Sequence, residues 1–202
     1  VKKISNHISK KVADRLDELF RNERSLFEEK WESLKVFVQY GMLSDEKFYD
    51  RAVKFDLVTD IDGKHFTLDE YRTLTEGNQT DKEGQLVWLY TNDRNSQYTA
   101  IERAKAKGYS VLLLDGPLDV HAVSQLEQKL EKTRFVRVDS DSIDKLIAKD
   151  EQRAVSLSDV EQKALKALFE GRLPREEKRN YSVSLEALGA DADAVLITQG
   201  EF

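Results

Sequence analysis

Apolar residues recur at three- and four-residue spacing along the first 43 positions, as they do on one face of a helix. One stripe runs through residues 4–20 and a second through residues 27–38, while charged residues fill the opposite faces. The pattern predicts helices across residues 1–43, with Gly41 as the C-terminal stop. Ser44 is predicted to cap the short helix that follows. The buried side of that helix would consist of Phe48, Ala52 and Phe55.

A polar stretch and a capping motif come next. Residues 59–64 (TDIDGK) predict a turn, and residues 76–84 (EGNQTDKEG) predict a loop. Between them, Thr67 and Glu70 have the spacing of a capping box. That motif predicts a short helix that reaches Leu74.

Residues 85–138 change character, because continuous apolar runs alternate with helical patterns. The first run is continuous enough for a strand buried on both faces. This order of elements predicts a small parallel sheet with right-handed crossovers. The predicted strands are 86–90, 111–114 and 135–138, and the predicted helices are 97–107 and 119–131.

The last third of the chain predicts a separate and partial α+β unit. Residues 139–156 are polar without a sustained apolar period, so we expect a linker there. Ser158 and Glu161 form a second capping box, whose helix would end at Gly171. Alternating residues at 181–186 and an apolar run at 194–198 predict two strands.

Composition narrows the classes of function. Charged residues make up 35% of the 202 residues, hydrophobic residues 40%, and the net charge is −6. The hydrophobic share is enough for packed cores, and the acidic balance argues against a nucleic-acid partner. The sequence has no cysteine, which excludes disulfides, thiolate metal sites and cysteine nucleophiles. Three isolated histidines argue against a zinc site, and no apolar run is long enough for a membrane span.

The sequence evidence for a nucleotide site or a metal site is weak. The predicted turn after the first strand, residues 92–95 (NDRN), has no glycine, and no phosphate-binding motif occurs in the chain. Residues 60–63 (DIDG) have a faint likeness to a calcium loop. The first and twelfth loop positions would be Val58 and Asp69, where calcium loops have a carboxylate and a Glu, so a plain turn is favoured.

Single residues with possible chemistry also have plainer interpretations. Asp119 and His121 stand at a predicted helix start and could form a general-base pair, but no nucleophile accompanies them, so an exposed histidine is favoured. Trp31 and Trp88 lie within apolar periodic runs, which favours core positions. We therefore predict no catalytic residues and no metal site.

The order of motifs resembles the middle domain of the 90-kDa heat-shock chaperone family, most closely its bacterial HtpG type. The likeness covers nearly the whole chain, and its strength comes from the order and spacing of the motifs rather than from any one of them. The segments that carry it are 8–11 (ISKK), 27–35 (FEEKWESLK) with Gly41, 67–71 (TLDEY), 88–91 (WLYT), 111–114 (VLLL), 117–119 (PLD) and 125–126 (QL).

The resemblance implies a division of the chain and a role for the whole protein. Residues 1–84 would be a helical connector, 85–138 a small three-layer α/β/α subdomain, 139–156 a linker and 157–202 the start of the C-terminal domain. Since the chain opens on Val1 and stops soon after a predicted strand, we expect it to be a fragment. The parent would be a cytoplasmic, ATP-driven homodimer that remodels non-native client proteins.

The resemblance also implies what the fragment would hold. ATP and Mg²⁺ would bind a domain outside it, so we expect no cofactor here, and the parent's dimer helices would also lie outside it. The family's phosphate-contacting Arg falls on Ser5, and Lys2 or Lys3 could replace it. The family's client-contact positions fall on Val120, His121 and Ser124, on the outward side of a helix that Asp119 is expected to cap.

Two other classes of function stay open from the sequence. One is a standalone small enzyme with a Rossmann-like sheet, which the glycine-free turn disfavours. The other is a generic protein-interaction module, which would have no reason to carry the ordered series of motifs. We expect a scaffold and client-contact piece of a chaperone, without enzymatic activity of its own.

Overall fold

The computed structural model describes residues 2–149, 155–173, 181–187 and 195–198, with side chains described from residue 7 onward. The chain divides into two units, Val1–Lys149 with Ile197–Phe202 and Asp150–Leu196. The predicted domain limits within these units stay predictions.

Three helices open the first unit: α1 (Lys2–Asn22), α2 (Arg24–Ser44) and α3 (Glu46–Ala52). The C-terminal part of the predicted α1 stripe, Leu16, Leu19 and Phe20, packs against the core that α2 enters, whereas Ile8 and Val12 of the same stripe are exposed. Phe27 and Trp31 are completely buried, and Phe27 packs against the rings of Phe20 and Phe55 at 5.4 and 6.0 Å. Trp31 is thus a core residue, as predicted.

The junction between α2 and α3 differs from the prediction at two positions. Helix α2 continues through Gly41 to Ser44, and the cap of α3 is Asp45, whose carboxylate accepts hydrogen bonds from the N–H groups of Lys47 and Phe48. Gly41 is needed for packing, since a Cβ there would lie 2.6 Å from Cε1 of Phe48. The glycine admits the Phe48 ring and does not end the helix.

Residues 59–64 turn as predicted, but the turn joins two short strands that the sequence did not indicate. Strands β1 (Leu57–Thr59) and β2 (His65–Thr67) pair in antiparallel fashion. The Asp60 carboxylate accepts from the N–H groups of Asp62 and Lys64 at 2.9 Å, and Gly63 has φ = 81°. These bonds occupy the Asp60 oxygen within the turn, in agreement with the plain-turn interpretation.

Helix α4 (Leu68–Gln79) starts with the predicted capping box but continues beyond Leu74 into the predicted loop. Hydrogen bonds with residues of the parallel sheet and of the segment before β4 stabilise its last turn. Gln79 is buried and donates to the carbonyl of Val87 while accepting from the N–H of Ser110. Thr75 accepts from the indole N–H of Trp88 at 2.9 Å. These long-range bonds explain why local polarity predicted a loop where the chain is helical.

The parallel sheet is confirmed. Its strands are β3 (Leu86–Thr91), β4 (Val111–Leu113) and β5 (Thr133–Arg137), in the order β4-β3-β5, connected by α5 (Tyr98–Ala106) and α6 (Asp119–Lys129). Strand β3 is buried on both faces, since Trp88 belongs to the core shared with α2 while Val87 and Leu89 belong to a second core. Trp88, with no exposed surface, is a core residue as predicted.

The second core also includes part of the predicted linker. A one-turn helix, α7 (Ile143–Leu146), buries Leu146 and Ile147 against Val87, Leu89 and their neighbours. The apolar residues of this turn are too few to produce a period, which is why no helix was predicted there.

The second unit contains α8 (Asp159–Glu170), which begins at the predicted Ser158–Glu161 capping box and ends at Gly171. The strands predicted around 181–186 and 194–198 are wrong for the residues described there, 181–187 and 195–198, which adopt no regular structure; Ala194 lies outside the described residues. Among the described helices, none is long and apolar enough to cross a membrane.

We expect Gly41→Ala to lower the free energy of unfolding by about 1–3 kcal/mol, because the buried Phe48 ring must move to admit the methyl group. Gly77→Ala is the matched control, since nothing lies within 4 Å of a Cβ built there inside α4. The control should be neutral or stabilising by up to about 1 kcal/mol. Urea denaturation measures both variants. Equal effects would contradict the packing role of Gly41.

Candidate functional site

Helix α6 carries the three residues that the sequence singled out. Val120 is 69% exposed, and His121 and Ser124 are also exposed, on the outward side of the helix. The Ser124 hydroxyl donates to the carbonyl of Val120 at 3.0 Å, so it stays within the helix. The predicted inward residues are at least partly buried: Ala122, Val123, Leu126 and Leu130. The orientation predicted for α6 is confirmed, while the role of the three residues in client contact stays a prediction.

Asp119 does not cap α6, contrary to the expectation, and it does not pair with His121, in agreement with the favoured interpretation of an exposed histidine. Its side chain is 1% exposed and turns inward, where it accepts from Lys35 Nζ at 2.8 Å and from Gln39 Nε2 at 2.7 Å. It also accepts from the N–H of Gly116 at 2.7 Å. A carboxylate with this many donors within a core has no oxygen left to orient an exposed imidazole. The first turn of α6 is therefore fixed to α2 by a buried ion pair.

Further contacts hold the rest of α6 along its length. Gln125 Nε2 donates to the carbonyl of Met42 at 3.0 Å, so the middle of α6 lies against the end of α2. Glu127 accepts from the N–H of Phe135 at 2.6 Å, which ties the opposite side to β5. These bonds leave the outward side as the free surface of a helix that is fixed on both flanks.

The last turn of α6 contacts α3. Lys129 Nζ lies 2.6 Å from Glu46 Oε1 and 4.5 Å from the centre of the Tyr49 ring. The hydrogen bond from Lys129 lowers the pKa of Glu46, and the same bond raises the pKa of Lys129. Because both groups are exposed, this pair contributes little to stability and mainly orients the helix end.

Two exposed aromatic residues on α2 were not predicted from the sequence. Phe37 is 73% exposed and Tyr40 is 66% exposed, one turn apart on the helix side opposite Trp31. Large apolar side chains in water are notable when they cluster, and this pair lies on the helix that the Lys35–Asp119 ion pair joins to α6. The available signal was their position out of phase with the stripe that contains Trp31 and Val38.

The turn after β3 is closed to phosphate. Asp93 accepts from the N–H groups of Asn95 and Ser96, and Gln97 Oε1 accepts from the N–H of Asn92 and the hydroxyl of Thr91. The bond from the Ser96 N–H is the main cause that lowers the pKa of Asp93. The N–H groups of Asn92, Asn95 and Ser96, which could otherwise bind a phosphate, are already occupied, and a carboxylate lies among them.

A cleft of about 510 Å³ lies between α1 and α3. Its charged lining consists of Lys10, Lys47, Arg51 and Lys54 with Asp45 and Asp50. Arg51 pairs with Asp14 and Asp45 caps α3, so part of this lining serves the structure. Across the described residues, no three His, Asp or Glu side chains could together hold a metal ion. The side chains of Lys2, Lys3 and Ser5 lie outside the described residues, so their relation to phosphate stays a prediction.

The family model and the curated relatives that match this chain point to the same family. The family model described as Hsp90 protein matches residues 1–186. The chain is 64% identical over all its 202 residues to a chaperone protein HtpG of Porphyromonas gingivalis, and 55% identical over the same length to one of Bacteroides fragilis. It spans 30% of the length of each of these relatives.

Comparison with solved structures supports the fold alone. The middle domain of a heat shock protein of Plasmodium falciparum superposes with a TM-score of 0.54 at 16% identity. The match covers 69% of this chain and 58% of that one.

We expect Asp119→Ala to lower the free energy of unfolding by about 3 kcal/mol or more, because Lys35 and Gln39 would keep their burial without their partner. Asp115→Ala removes the same charge from an exposed position four residues earlier and should change it by less than about 0.5 kcal/mol. Urea denaturation at neutral pH measures both. An Asp119 variant as stable as the Asp115 control would show that the ion pair does not hold α6.

Proposed function

Because this chain belongs to the Hsp90 protein family, we propose that it is the scaffold and client-contact piece of a chaperone that remodels non-native proteins. The observation that carries the proposal is the outward side of α6, where exposed apolar surface stands on a helix held firmly from beneath. Relatives that the chain matches along its whole length carry the name chaperone.

The proposed client-contact surface has two parts. The first is the α6 face formed by Val120, His121 and Ser124, and the second is the aromatic pair of Phe37 and Tyr40 on α2. Non-native proteins expose apolar segments, and a small exposed apolar surface binds them weakly and without strict selection. The fixed backbone beneath keeps the surface in place, so the entropy cost of binding falls on the client.

We further propose that the full-length protein is a cytoplasmic homodimer and an ATPase whose ATP and Mg²⁺ bind outside this chain. The closed turn after β3 supports placing the nucleotide elsewhere, since its backbone donors are engaged by Asp93 and Gln97. The same observation disfavours the alternative of a standalone Rossmann-like enzyme, which would need that turn for its cofactor.

Replacing both Phe37 and Tyr40 with Ser should weaken the binding of a permanently unfolded test protein several-fold, because each change removes exposed aromatic area from the contact. We expect the unaltered chain to bind with a Kd of about 1 mM, or about −4 kcal/mol. Amide chemical-shift titration measures the affinity and locates the contact, which should include residues 117–128.

The matched control is Tyr98→Ser, which removes an aromatic side chain of similar exposure, 61%, from α5. It should leave client affinity unchanged. His121→Trp tests the α6 part directly and should strengthen binding, since it enlarges the apolar face. Shift changes that avoid residues 117–128 and both aromatic positions would overturn the proposed surface.

The 202-residue chain should not bind ATP with a Kd tighter than about 1 mM in the presence of Mg²⁺. The physical reason is the occupied turn after β3, which offers a carboxylate in place of free N–H groups. Isothermal titration calorimetry measures the binding. A saturable heat with tighter affinity would place nucleotide chemistry within this chain and revive the enzyme alternative.

A further inference from the structure

A second buried carboxyl lies beside the ion pair that holds α6. Asp56 stands between α3 and β1 and is 6% exposed, and its Oδ1 has no hydrogen-bond partner among the described residues. Buried polar atoms nearly always have partners, so an unpartnered carboxyl oxygen needs an explanation.

The titratable and charged groups that act on Asp56 lie on α2, α3 and α6, and a backbone N–H of β1 joins them. Lys35 of α2 favours its charged form, as does the N–H of Leu57 at the start of β1. Asp119 of α6 disfavours that form, and Asp56 in turn acts on Tyr49 of α3. Lys35 is the nearby cation that could neutralise a second carboxylate, and its Nζ is already 2.8 Å from Asp119.

The space between these groups is small. Lys35, Gln39, Asp56 and Asp119 share the lining of a cavity of about 20 Å³ with apolar residues of β4, β5 and α6. A volume of this size has room for about one water molecule, which is too little to hydrate an ionised carboxylate. Ionisation of Asp56 therefore leaves two carboxylates that compete for one ammonium group.

We propose that Asp56 is a proton-dependent latch for α6: when protonated it leaves Lys35 to Asp119 and α6 stays fixed to α2, and when ionised it draws Lys35 away and loosens the first turn of α6. The proposal rests on the shared lysine and the closed cavity. Only its consequence for clients rests on the proposed function, because the loosened turn carries Val120 and His121.

The expected pH range follows from the burial of Asp56. Burial is the largest cause that raises the pKa of Asp56 from 3.8 to about 7, and the repulsion from Asp119 adds to it, while Lys35 opposes it. Because the folded chain binds the proton more tightly than the unfolded chain, this carboxyl stabilises the fold most below the unfolded pKa. That contribution is lost as the pH rises through about 7.

The test compares Asp56→Asn, which imitates the protonated latch, with the unaltered 202-residue chain. The melting temperature of the variant should exceed that of the parent by about 10 °C at about pH 8 and by a few degrees at about pH 5, where the unfolded carboxyl is already ionised. It should match that of the parent only below about pH 4. The Gly116 amide reports on Asp119, to which it donates at 2.7 Å. Its chemical shift should titrate with a midpoint near 7 in the parent and stay constant in the variant.

Asp62→Asn is the matched control, since it removes an exposed carboxylate and should keep the pH profile of the parent. Carbon-13 carboxyl NMR of the unaltered chain keeps the test decisive even where Asp56→Asn fails to fold. A midpoint for Asp56 near 4 would overturn the latch, as would a Gly116 shift that titrates equally in the Asp56 variant. Neither result bears on client binding at fixed pH, so failure of the latch is distinguishable from failure of the proposed function.

Discussion

The ion pair between Lys35 and Asp119 is the contact on which the arrangement of the first unit depends. It joins the long helix α2 to the first turn of α6 across more than eighty residues of sequence, and both partners are largely removed from water. Burying charges is expensive, so such a pair contributes less to net stability than to the choice of one arrangement among several. Slipping α6 along α2 would leave a buried charge without its partner, whereas sliding two apolar faces past each other would cost far less.

The small sheet supplies the base for this arrangement. Strand β3 carries Trp88 into the core beneath α2 and Leu89 into the core beneath α5, so the two cores share one strand. The Trp88 indole N–H is bound to Thr75, and its ring meets Tyr71 and Phe135 at 5.1 and 5.2 Å. A central tryptophan bonded at one end and edge-packed on two sides has little freedom, which fixes the position of the sheet relative to α4.

The sequence was informative wherever the signal is local or strongly periodic. The stripes of α1 and α2, the two capping boxes and the doubly buried strand all follow from spacing within about a dozen residues. The errors arise where a distant contact decides. Asp45 rather than Ser44 caps α3, since Gly41 accepts the ring of Phe48 and lets α2 run on. Asp119 turns inward because Lys35 and Gln39 of α2 donate hydrogen bonds to its carboxylate. No pattern near residue 119 reveals partners on another helix.

The same reasoning explains why only the α6 part of the candidate surface could be predicted from the sequence. Val120, His121 and Ser124 were reached through a family likeness, and the helix period then gave their outward orientation. Phe37 and Tyr40 lie out of phase with the stripe that contains Trp31 and Val38, but this signal is weak because an aromatic residue in a helix is normally assigned to the core. Their exposure emerges only when the packing of α2 is known: Trp31 and Val38 bury one side, Lys35 and Gln39 bind α6, and the remaining side faces water. Two aromatic side chains kept in water do not strengthen the fold, which is why we propose that they contact clients.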